Sequence, residues 1–238
     1  MIVYGRNAVR EVLRGPRSVT GVWATKNGAR EDWLRGSGTP RVTVVGAEEL
    51  DARTDRAAHQ GIVAEAEPYR YAQAAELLAG PAPLVVALDE VQDPQNLGAI
   101  CRTAEAAGVN GVVLPERRSA EVTPAVCKAS AGAVEHLAIA RVRNLVDFLA
   151  EAKAARCWCY GAAADAPVAF DEPDYSGGAV LVLGAEGRGL RPRVAGACDV
   201  LVSIPLHGRI ESLNVSAAAA VLLYEILQGR GAGVDKSS

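Results

Sequence analysis

Residues 84–114, LVVALDEVQDPQNLGAICRTAEAAGVNGVVL, contain the unit from which the fold is built. LVVAL (84–88) is a short, unbroken apolar run, the pattern of a strand buried on both faces. Asp93 offers a side-chain acceptor where a helix begins, and Pro94 suits the first helical turn. The helix is expected from about Pro94 to Ala107, and Gly108 supplies its stop. GVVL (111–114) returns to a strand. A strand, a helix and a second apolar strand imply a parallel pair joined by a crossover.

Downstream the alternation continues. Thr123-Pro124 opens a helix, IARV (139–142) is a strand, 144–154 is helical and CWCYGA (157–162) is a strand. AVLVLG (179–184) and VLVSIP (200–205) are again continuous apolar runs, and a last helix is expected from about Leu213 to Gln228. The fold class is α/β, with a parallel sheet covered on both faces. Upstream, GRNAVREVLRG reads as a helix with Ala8, Val9, Val12 and Leu13 near one face. VTGVWAT (19–25), RVTVV (41–45) and GIVAEAE (61–67) read as strands. Residues 68–83 hold Pro68, an Ala-rich helix and GPAP, the signature of a linker. The expected organisation is a small α/β head at 1–68, a linker at 69–83, a large domain at 84–229 and a disordered tail at 230–238.

Of the 238 residues, half are hydrophobic and only 5% aromatic, so Ala, Val and Leu do most of the packing. No apolar run reaches the length of a membrane span. Arg6 and Arg10 stand where a signal peptide needs an apolar core, so a cytoplasmic location is expected. Cys101, Cys127, Cys157, Cys159 and Cys198 include no C-x-x-C pair, and their odd number argues against a disulfide framework. Buried thiols, and no metal site, are expected. The net charge of −3 does not itself suggest a nucleic-acid partner, but charge is partitioned. Residues 1–70 carry 11 basic side chains against 9 acids, whereas 71–100 and 144–183 together carry 2 against 10.

Three segments fall at the expected C-terminal ends of strands, where open α/β sheets bind ligands. They are DPQNLGAICRT (93–103), LGAEGRGL (183–190) and IPLHGRIESLNVS (204–216). The glycine order in the second, Gly184, Gly187 and Gly189, is not that of a dinucleotide-binding fingerprint, and an oxidoreductase is disfavoured. Its glycines suit a backbone cradle instead.

Together these segments resemble the three motifs of the SpoU (TrmH) family of SPOUT RNA methyltransferases. Asn96, Gly98 and Arg102 carry the first, and Gly184, Glu186 and Gly189 the second. Pro205, Gly208, Ser212, Leu213, Asn214 and Ser216 carry the third. Leu206 departs from the Met found in many relatives. YGRN (4–7), HQGIV (59–63) and SAGAVEH (130–136) are similar to the branch that methylates a guanosine of 23S ribosomal RNA.

The resemblance implies a C-terminal trefoil knot, a small L30e-like head that binds substrate, S-adenosylmethionine as cofactor and a homodimer with the cofactor at the subunit interface. It implies transfer of methyl to a ribose 2′-hydroxyl, with Arg102, Asn96, Glu186, Ser212 and Asn214 as catalytic candidates. Leu183, Gly184, Glu186, Gly189, Ile204, Leu206, Ser212 and Leu213 are the cofactor candidates. Arg102 is expected to hold phosphate and stabilise an incipient alkoxide, because a guanidinium stays protonated. Asn96 lies six residues earlier, about 9 Å along a helix and off its face; it fixes the first turn or meets RNA. Glu186 orients its loop or an arginine, and Ser212 is also a good N-cap. Arg6 and Arg10, with Arg14 and Arg17, form a basic segment expected to grip RNA phosphates. His207 is a weak ligand candidate; His59 and His136 read as structural. Methylation of tRNA, or a non-catalytic RNA-binding assembly factor on the same fold, are the alternatives.

Overall fold

A computed structural model of the chain describes residues 1–35, 40–209 and 212–231. The head opens with β1 (Ile2–Tyr4), α1 (Arg6–Arg14), β2 (Val19–Ala24), β3 (Val42–Val44), α2 (Ala47–Thr54) and β4 (Ile62–Ala66). Its four strands lie in the order β1-β4-β2-β3. β4 runs antiparallel to both β1 and β2, and β2 pairs parallel with β3. Ala8, Val9 and Val12 are the buried face of α1, and Leu13 packs partly buried at its margin. The sequence reading omitted β1 and α2. Three residues of strand leave no measurable alternation, and α2 buries only Leu50 and Thr54.

The large domain continues with β5 (Leu84–Asp89), α3 (Pro94–Ala106), β6 (Gly111–Pro115), α4 (Pro124–Ala129), β7 (Ile139–Val142), α5 (Leu145–Ala154) and β8 (Cys157–Ala162). It ends with β9 (Val168–Ala169), β10 (Gly178–Gly184), α6 (Pro192–Ala195), β11 (Val200–Ser203) and α7 (Val215–Gly229). The seven strands form one sheet in the order β7-β6-β5-β10-β8-β11-β9, and every pairing is parallel. Alternation splits the core in two. Val86, Leu88 and Leu181 join α3 and α7 on one face, while Val85, Ala87 and Val180 join Phe148 and Leu149 of α5 on the other. The expected caps are present: Asp93 accepts from the Gln95 N–H at 2.9 Å, and Gly108 takes φ +66°.

Three expectations need correction. Residues 68–83 contain no α-helix: Ala74–Leu78 make a 3-10 segment. Instead, the Ala72 N–H donates to the Ile139 carbonyl at 2.8 Å, so the edge of the sheet competes for this backbone. The last helix is capped by Asn214, not Ser212; the Asn214 side-chain Oδ1 accepts from the Ser216 N–H at 2.9 Å and the Ala217 N–H at 3.4 Å. A cap must directly precede the first helical residue, which is Val215. Arg230 does not begin a loose tail. Its guanidinium donates to the carbonyls of Tyr175, Ala82, Pro83 and Gly177 at 2.6–3.1 Å, clamping the end of α7 to the start of β5 and β10. The remainder of the expected tail, 232–238, lies outside the described residues.

Gly98 is a packing residue. A Cβ there would stand 2.4 Å from the Ala129 Cβ and 2.8 Å from the Ser130 nitrogen, so its absence lets α3 touch α4. Gly98→Ala should lower stability by about 1–3 kcal/mol despite better helix propensity. Urea unfolding measures this, and an unchanged or raised midpoint would contradict it.

Among the described residues no helix is long and apolar enough to cross a membrane, and no cluster of His, Cys, Asp or Glu could hold a metal ion. The five cysteines are free, and Cys198 alone is less than fully buried. Burial pushes the thiols of Cys101 and Cys159 up to about 12, and those of Cys127 and Cys198 up to about 11, so they stay protonated near neutrality.

Candidate functional site

The C-terminal ends of β5 and β10 lie side by side, with Asp89 in register with Gly184. β10 feeds a tight turn. The Ala185 N–H donates to the Gly189 carbonyl at 3.1 Å, and the Gly189 N–H donates back at 2.9 Å. Gly187 (φ +75°) and Gly189 (φ +64°) adopt the left-handed backbone that this turn needs. Gly184 serves differently from the expected open cradle. A Cβ on it would lie 2.1 Å from the Gly189 carbonyl carbon, so the turn folds back onto Gly184 itself.

Glu186, at the tip of this turn, joins all three segments. The Asn96 amide donates to Glu186 Oε2 at 3.1 Å, and the Asn214 amide donates to Glu186 Oε1 at 3.1 Å. The same Asn214 amide donates to Asn96 Oδ1 at 2.9 Å, closing a ring of three side chains. Asn96 is buried, and its two amide atoms are both engaged. Asn214 spends its oxygen on the cap of α7 and its nitrogen on the ring. Each amide therefore has one satisfied orientation. Asn96 does not cap its own helix, which Asp93 does; with Asn214 it holds the Glu186 carboxylate at the turn.

A second anchor was missed from the sequence. Asp89 is fully buried and faces Arg191. The Arg191 backbone N–H donates to Oδ2 at 2.8 Å, and its side chain donates to Oδ1 through Nε at 2.8 Å and Nη2 at 2.6 Å. Glu90, at φ +61°, sits 3.5 Å from both Arg191 and Arg118. These contacts fasten the far side of the glycine turn to β5. Asp89 at the end of an apolar strand was the only available signal.

Arg102 lies on α3 beyond Asn96, exposed, and makes no ion pair or side-chain hydrogen bond among the described residues. The structure does not bring it into the ring. Ser212 is also exposed and outside it. Leu183 is buried beneath the turn; Ile204 is partly buried; Leu206 and Leu213 are exposed by 37% and 42%. His207 lies exposed in the same loop.

The remaining candidates belong to the head. Arg6 pairs with Glu31 at 3.1 Å and Arg10 with Glu11 at 2.8 Å, and both stay partly exposed. Arg17 is not on an RNA face, because it is buried against Glu135. His59 bridges Asp51 (3.1 Å) and the Gly61 N–H (3.0 Å), a structural use.

Comparison with known proteins adds the following. A family model described as the SpoU rRNA methylase family matches residues 83–224, and one described as RNA 2′-O ribose methyltransferase substrate binding matches residues 2–72. The chain is 40% identical, over 97% of its length, to an uncharacterized tRNA/rRNA methyltransferase of Synechocystis, and spans 63% of that protein. It is also 40% identical, over 97% of its length, to the 23S rRNA (guanosine-2′-O-)-methyltransferase RlmB of Pseudomonas syringae, and spans 96% of it. The solved SpoU methyltransferase AviRb from Streptomyces viridochromogenes, in complex with the cofactor AdoMet, superposes with a TM-score of 0.82 at 25% identity. That match covers 98% of this chain and 91% of the other.

Proposed function

The chain belongs to the SpoU rRNA methylase family, and on that premise we propose that it transfers a methyl group from S-adenosylmethionine to a ribose 2′-hydroxyl of RNA, a guanosine of 23S ribosomal RNA. The observation that carries this is the ring of Asn96, Glu186 and Asn214, which draws three segments, with Asn96 90 residues before Glu186 and Asn214 28 residues after it, into one strand-end site.

Bound S-adenosylmethionine supplies a methyl group on a sulfonium centre, from which it departs without the bonding electron pair. The chain has to hold that group, align the ribose oxygen with it and manage the hydroxyl proton. Leu206 and Leu213 are large apolar side chains left exposed beside the site, and an adenine ring is the kind of surface that covers them. Backbone at Leu183, Gly184, Gly189 and Ile204, with Glu186 and Ser212 beside them, completes the binding set. Asn96 and Asn214 keep the three loops in register. Arg102 holds an RNA phosphate and stabilises negative charge developing on the 2′-oxygen. A guanidinium does not serve as the base, so the proton leaves to solvent or to the RNA.

The proposal includes a homodimer and the threaded C-terminal knot. Val221 and Tyr224 are exposed apolar residues on α7, one turn apart, and they offer a surface for a second copy. Arg6 and Arg10 of the head contribute phosphate contacts. A ribosomal target goes with action in the cytoplasm. The full-length match to a 23S rRNA enzyme favours ribosomal RNA over tRNA.

Mapping ribose methylation in total RNA from cells with and without the gene tests this proposal. One 23S rRNA guanosine should lose its methyl group. Loss at a tRNA position instead would replace the substrate, and no change in any RNA would contradict the proposal.

A further inference from the structure

SAGAVEH (130–136) stands apart from the three site segments, yet it is densely engaged. Glu135 is buried in the large domain and receives Arg17 from the head. Arg17 Nε donates to Oε2 at 2.8 Å and Nη2 to Oε1. Arg17 also donates to the Glu67 carbonyl at 3.0 Å, and its guanidinium lies 5.9 Å from the Tyr69 ring centroid. His136 meets Glu11 of α1 at 3.0 Å.

Two glycines mark close approaches between the head and the large domain. Gly132 (φ +92°) would place one 2.5 Å from Glu11 Cβ, and Gly15 would place one 3.0 Å from Glu135 Cβ. The head core, with Val3, Val9 and Val12, belongs to the same apolar cluster as Leu97, Val126 and Leu137. The contact continues to the site, because α4 packs against α3, which carries Asn96 and Arg102.

We propose that residues 130–136 are a socket that docks the head on the large domain in one fixed position, with Arg17 and Glu135 as positioning residues. RNA held by the head then presents its ribose at a set distance from the site. The inference about RNA rests on the methyltransferase proposal; the docking itself does not. A buried bidentate pair suits this task, since removing one partner leaves the other charge buried without its counter-ion. A flexible tether could deliver RNA at many distances, whereas a socket acts as a gauge.

The test uses the full chain, with Glu135→Gln and Arg17→Lys as variants. Hydrogen exchange reads the docking, and methyl transfer is compared on a structured ribosomal transcript and on a short oligonucleotide with the same target nucleotide. Glu135→Gln should speed exchange in α1 and in 130–136. It should lower kcat/KM on the structured transcript by about tenfold to a hundredfold, with the oligonucleotide unchanged. Arg17→Lys should fall between wild type and Glu135→Gln. Equal losses on both RNAs, or a loosened interface with no loss on either, would overturn the gauge. Fast exchange at this interface in the wild type would overturn the socket. If Glu135→Gln does not fold, the exposed-side pair Glu11→Ala with His136→Ala reports the same ratio. If the wild type methylates neither RNA, the methyltransferase proposal fails, and the exchange pattern alone decides the docking.

Discussion

Arg102→Ala is expected to abolish measurable methyl transfer, a loss of about a hundredfold to a thousandfold, while S-adenosylmethionine affinity stays within about twofold. The separation follows from where the residue stands. Arg102 is exposed on α3, and the helix is held by other means: the Asp93 cap, Gly98 against Ala129, and Asn96 in its ring. Truncating an exposed helical arginine should change stability by no more than about 0.5 kcal/mol. On the proposed mechanism, what is lost is the positive charge that Arg102 offers to the RNA. Arg102→Lys keeps charge but not the planar fork, so partial activity is expected. Calorimetric titration of the cofactor and single-turnover transfer separate the two effects. Undiminished turnover in Arg102→Ala would remove the residue from the mechanism.

Gly184→Val should weaken cofactor binding at least about tenfold and lower stability by about 1–3 kcal/mol. There is no room for the new side chain. Its Cβ alone would stand 2.1–2.4 Å from three backbone atoms of Gly189 and Leu190. The turn has to lift, and Glu186 leaves Asn96 and Asn214 as it does. Gly189→Ala is the useful contrast. Nothing lies within 4 Å of a Cβ there, so only its φ of +64° is strained, at about 1 kcal/mol. Equilibrium dialysis with labelled cofactor should rank wild type above Gly189→Ala above Gly184→Val. Equal affinities would relocate the site away from the turn.

Much of the large domain was legible because a parallel sheet buried on both faces writes itself as apolar runs. β8 is predicted at its observed bounds, and β5, β10 and β11 differ only at their ends. Short elements with few buried residues, such as β1, α2, α6 and β9, left no comparable pattern. The site was legible as a set of residues but not as an arrangement. Asn96 meets Glu186 across 90 residues and Asn214 across 118, and no spacing rule connects them. Arg17 failed for a related reason. In the sequence it continues the series of Arg6, Arg10 and Arg14, whereas its partner Glu135 lies 118 residues away. Ser212 and Asn214 are both good caps by type, and only the start of α7 at Val215 decides between them.

A ribose carrying a 2′-O-methyl group has lost the nucleophile that cleaves the adjacent phosphodiester in alkali. The most direct measurement therefore incubates the purified chain with methyl-labelled S-adenosylmethionine and a 23S rRNA transcript, followed by alkaline hydrolysis. The label should be recovered in a single alkali-resistant dinucleotide that begins with guanosine. Label released as a mononucleotide, which would mean methylation of a base, or no incorporation into any RNA, would contradict the account.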